Sequence, residues 1–142
     1  MYPPESNKKE NILTNLPLLL DWLHANGLNR YTTYDIFSGE FFALPYWEDI
    51  FKIFYDWHLK NLGHRTHRDI VIPCNGSFVL DNEKTQRVEA WIKKFKTIEI
   101  GTFLSFSIDG PEPIELIERP NRNSKLDMKT PEFYDRLFTF AK

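Results

Sequence analysis

The sequence predicts an α/β fold of about three parallel strands alternating with helices, and three observations predict it. Stretches with helical apolar spacing alternate with short β-branched and aromatic runs in the order α, β, α, β, α, β, followed by an irregular connection and a last helix. Strands separated by helices are joined by crossovers and therefore run parallel. Each strand-like run stops on a small polar turn, namely Ser38-Gly39-Glu40, Asn75-Gly76-Ser77 and Ser107-Ile108-Asp109-Gly110. The chain has 142 residues, 42% of them hydrophobic, with 12 Phe, 6 Tyr and 4 Trp. That is enough bulk for one core in one domain, since each buried aromatic removes roughly 150–250 Å² from water.

Residues 1–10 are polar and contain Pro3 and Pro4, so they read as a loop or a frayed end. From about residue 12 to 26, Ile12, Leu16, Leu19, Leu20 and Leu23 form one helical stripe that Gly27 terminates. "RYTTYDIF" has strand composition. Pro45 opens a second helix, in which Ile50, Phe51, Phe54, Trp57 and Leu62 recur at three- and four-residue spacing up to Gly63. "DIVIP" is a short apolar strand, and "DNEKTQRVEAWIKKFK" a third helix with Val88, Trp91, Ile92 and Phe95 on its inner face. "TFLSFSI" is the third strand. Residues 111–130 are a Pro-rich irregular connection, and the last helix begins at about Pro131. The strands are expected near 31–37, 69–73 and 102–108.

In open or closed parallel α/β sheets, ligands bind beyond the carboxyl ends of the strands. The three polar turns all lie at those ends, so they share one rim. A formal net charge of −2, a pI near 6.1 and basic residues interspersed with acids give no electrostatic reason to expect nucleic acid, which usually needs a basic stripe. The apolar run "LPLLLDWL" is broken by Asp21 and is too short to span a bilayer. No membrane association and no secretory signal are expected, and a reducing cytoplasm is the default setting. Cys74, the single cysteine, excludes an intramolecular disulfide and any three-cysteine metal site built from this chain.

The ordered set "SGEFF", "CNGS" and "SIDG", each closing a strand, resembles the central part of the radical S-adenosylmethionine enzymes. The resemblance runs from about residue 10 onward and implies a partial (β/α) barrel. It also implies S-adenosylmethionine as cofactor, held by Ser38, Gly39, Glu40, Asn75, Ser107 and Asp109, with Arg119 or Arg122 on the cofactor carboxylate. Glu40 would accept from the ammonium group of the methionine part, and Gly39 would let the backbone approach it. The family's CxxxCxxC loop, whose thiolates hold a [4Fe–4S] cluster, has no counterpart here. The cluster is therefore expected only if the missing cysteine loop is supplied.

The resulting expectation is a single, incomplete domain over residues 1–142: a fragment or split part of such an enzyme, inactive alone. It would need the missing N- or C-terminal portion as partner, or would self-associate through open sheet edges. The alternative is a non-catalytic small α/β domain that binds a ligand or a partner. Beside these readings stand plainer ones. Glu40 reads as a solvated turn acid, Asn75-Gly76 and Asp109-Gly110 as turn pairs, Cys74 as a buried small apolar residue, and Arg119 and Arg122 as surface. His58, His64 and His67 lack the spacing of a recognised zinc site and read as a solvated helix end.

Overall fold

A computed structural model describes residues 9–28, 34–35, 40–61, 68–106 and 130–142. In chain order these form α1 (Lys9–Ala25), β1 (Tyr34–Asp35), α2 (Trp47–Lys60), β2 (Arg68–Cys74), α3 (Asn82–Lys96), β3 (Ile100–Phe106) and α4 (Pro131–Phe140). Two short 3₁₀ turns, Phe41–Ala43 and Ser77–Leu80, precede α2 and α3. Among the described residues the sheet has the order β1-β2-β3, with both pairings parallel, and β1 is described over Tyr34–Asp35. Tyr34 lies opposite Ile70, and Ile70 lies opposite Thr102. Parallel neighbours in sequential order require the crossovers that α2 and α3 supply.

Local chemistry accounts for the helix ends. Asp81 caps α3 by accepting from the Lys84 N–H at 3.0 Å, and Lys93, Lys94 and Lys96 sit at its negative end. Thr130 caps α4 by accepting from the Phe133 N–H at 3.2 Å, with Pro131 in the first turn where a missing N–H costs nothing. α1 is stopped by Gly27 at φ +67°, a left-handed conformation that glycine adopts without a Cβ clash. α2 begins at Trp47, with Tyr46 as its cap, so Pro45 precedes the helix rather than opening it.

The core is aromatic. Phe51 is fully buried, with the rings of Phe41, Trp47 and Phe95 at centroid distances of 5.2, 5.4 and 5.3 Å. The Trp47 and Phe95 contacts are edge-to-face, the arrangement that puts a positive ring edge on a negative face. From the sheet come Ile70, Ile72 and Cys74, alternate residues of β2 that all enter this core, while Val71 and Pro73 between them are half-buried. Val88 and Phe95 close it from α3, and Phe133 and Leu137 from α4.

Two sequence expectations are corrected by packing. Leu19 is 50% exposed and does not join the α1 stripe. The helix turns by about 100° per residue, so Leu19 lies about a quarter-turn off the direction of Leu20, the residue that α1 buries. His58 is no solvated helix end: it is buried, its ring stacked on Phe54 at 6.1 Å, with Nδ1 2.6 Å from the Phe54 carbonyl oxygen. The expected strand residues 31–33, 36–37 and 107–108 lie outside the described residues. Among the described residues no helix is long and apolar enough to cross a membrane.

Candidate functional site at the carboxyl ends of the strands

Glu40 stands between β1 and the Phe41–Ala43 turn, in an extended conformation with φ −88° and ψ +93°. The turn behind it is anchored by Phe41 and Phe42, each 1% exposed. That burial leaves the Glu40 side chain little freedom of direction. Its Oε2 accepts from the backbone N–H of Asn75 at 2.5 Å, which ties the end of β1 to the end of β2. Its Oε1 is buried and has no hydrogen-bond partner among the described residues.

The second strand-end turn is built to present that N–H. Asn75 Oδ1 accepts from the Ser77 N–H at 2.9 Å, so the side chain serves the turn and not the open rim. Gly76 has φ +79°, and a Cβ there would lie 2.9 Å from Leu137 Cδ1 and 3.3 Å from Phe106 Cδ1. The glycine is required twice over, by the left-handed backbone and by the close approach of α4.

Burial raises the pKa of Glu40 above the ordinary carboxylate range, because it disfavours the charged form. The Asn75 N–H, the Phe42 N–H and the Lys84 ammonium act in the opposite direction. Lys84 does not bond to the carboxylate; its Nζ donates to the Phe42 carbonyl at 3.0 Å. Beside Glu40, burial pushes the Cys74 thiol up to about 12, with the Glu40 charge adding to it and the Gly76 N–H opposing. A thiol held in that state supplies little of the nucleophilic thiolate at neutral pH.

Of the expected site residues, the structure brings together Glu40 and Asn75, the latter through its backbone. Ser38, Gly39, Ser107, Asp109, Arg119 and Arg122 lie outside the described residues, as do His64 and His67. Among the described residues no group of three His, Cys, Asp or Glu side chains could hold a metal ion. Lys84 escaped the sequence reading, although a signal was present. It occupies the third position of α3, near the positive end of the helix dipole, where a cation is disfavoured unless something else holds it.

A separate open cavity of about 490 Å³ lies between α3 and α4, lined by Thr85, Glu89, Glu132, Asp135 and Arg136 among others. The Arg136 guanidinium is already engaged by Asn82 Oδ1 at 2.9 Å and Glu132 Oε1 at 2.7 Å, and the cavity does not reach Glu40.

A [4Fe–4S] cluster does not fit these residues, since three thiolates are needed and the sequence has one cysteine, buried and protonated. Glu40 Oε1, buried and without a hydrogen-bond partner among the described residues, is an acceptor of the kind that an ammonium group pairs with. No protein-family model, curated protein or solved structure matches the chain.

Proposed function

We propose that this chain supplies the amino-acid side of an S-adenosylmethionine site, as part of a radical S-adenosylmethionine enzyme whose cluster thiolates lie outside this sequence. The sheet is then a sector of a (β/α) barrel, and the partner is the portion that carries the cysteine loop. The observation that carries this reading is the Glu40 carboxylate, with one oxygen held by the Asn75 N–H and the other buried without a partner.

The first contact fixes the side chain, so little rotamer entropy remains to be lost on binding. The second oxygen accepts from the ligand ammonium in a half-buried setting, where a charge-assisted hydrogen bond is stronger than in water. An incoming cation also favours the ionised carboxylate, so binding in the acid range releases a proton from Glu40. The chemistry of the cofactor itself is reductive cleavage at its sulfonium, and no step of that falls to the residues described here.

A second reading, a non-catalytic domain binding the same ligand class, is favoured by the lone buried Cys74. It shares the Glu40 contact and differs only in the absence of turnover when a cluster-bearing partner is added.

Calorimetric titration tests the shared contact. S-adenosylmethionine should bind, and Glu40→Gln should weaken binding by about tenfold or more, the value of one charge-assisted hydrogen bond. Methylthioadenosine, which lacks the amino acid, should be indifferent to that substitution. Equal binding of S-adenosylmethionine by both chains, or by neither, would sink the proposal.

A further inference from the structure

We propose that Lys84 is a positioning residue for Glu40, pinning the turn that carries it to the start of α3 while leaving the buried carboxylate oxygen Oε1 unoccupied as an acceptor for a cationic ligand. The inference rests on the reading of Glu40 as an ammonium acceptor. Its geometry comes from two contacts of one residue. The Lys84 backbone N–H is fixed by Asp81 Oδ1 at 3.0 Å, and its Nζ reaches across to the Phe42 carbonyl at 3.0 Å. The start of α3, which follows β2, is thereby fastened to the turn that follows β1.

The same ammonium lies close enough to Glu40 to favour its ionised form. It makes no direct pair with the carboxylate, whose Oε1 stays without a partner among the described residues. A lysine bonded to that oxygen would compete with the ligand. Placed one residue pair away, it offsets the cost of burying the charge without occupying the acceptor. The placement also explains a cation in the first turn of a helix, where the macrodipole opposes it. Among the described residues, the charged side chain that acts on Glu40 is Lys84, and burial keeps the neighbouring Cys74 thiol, itself pushed up by the Glu40 charge, neutral in the carboxylate range.

The test reads the Glu40 carboxyl directly, by ¹³C NMR titration of the full chain, alongside S-adenosylmethionine binding as a function of pH. Lys84→Gln removes the charge and leaves a polar side chain one bond shorter. It should move the Glu40 midpoint to higher pH and move the onset of binding up with it. Lys84→Arg should restore both, and Lys84→Glu should shift the midpoint further in the same direction as Lys84→Gln. A midpoint unmoved by Lys84→Gln and by Lys84→Glu would overturn the inference. The midpoint needs no ligand, so it separates this failure from that of the functional reading, in which Glu40→Gln leaves binding intact.

Discussion

Glu40 and Asn75 lie thirty-five residues apart in the chain and meet through a 2.5 Å hydrogen bond from the Asn75 backbone N–H to Glu40 Oε2. The bond joins two strand ends through a carboxylate that burial would rather keep protonated.

Glu40→Gln should therefore stabilise the protein at neutral pH. The folded-state pKa of Glu40 is raised, so its contribution to stability is full below the unfolded carboxylate range and is lost as pH rises through the folded value. Glutamine keeps a carbonyl oxygen for the Asn75 N–H and removes the buried charge. The gain is moderated by partial solvent access. Thermal melts at neutral and acid pH check it: the variant should melt higher at neutral pH and show a flatter pH dependence, whereas a lower neutral melting temperature contradicts the assignment.

Cys74 should resist alkylation. Its thiol is 3% exposed and pushed up to about 12, so the thiolate that reacts is scarce at neutral pH. Iodoacetamide should label the chain only after denaturation. The same raised pKa means that stability declines as pH climbs above the ordinary thiol range toward that value, because the unfolded chain loses the proton first. Rapid labelling of the native protein would show that the end of β2 is open.

Gly76→Ala should cost about 2–3 kcal/mol, the sum of a left-handed backbone and an overpacked contact with Leu137. Urea unfolding of the single and double variants separates the two parts. In a Leu137→Ala background the overpacking share should vanish and the backbone share should persist. An unchanged penalty in both backgrounds would place the whole cost in the backbone.

Thr102→Val should be neutral or stabilising by about 0.5–1 kcal/mol. Thr102 Oγ1, on β3, is buried without a hydrogen-bond partner among the described residues, and valine has the same shape without the hydroxyl to desolvate. A loss of more than about 1 kcal/mol in chemical denaturation would reveal a hydrogen bond at that hydroxyl.

What the sequence by itself determined are the features that neighbours in the chain decide. Asp81 before α3, Thr130-Pro131 before α4 and the apolar run through Ile70 and Ile72 each declare their structure within a turn or two. Parallel pairing followed, because only a crossover can join strands with a helix between them. Tertiary structure alone decided which polar groups meet and which apolar faces are covered. Glu40 finds Asn75, Lys84 finds the Phe42 carbonyl, Leu137 closes over Gly76, His58 stacks into the core and Leu19 is left outside. Periodicity records that a residue lies on some face of its own element. It carries no information about the partner that another element brings to that face, and burial, charge state and ligand-binding capacity depend on that partner.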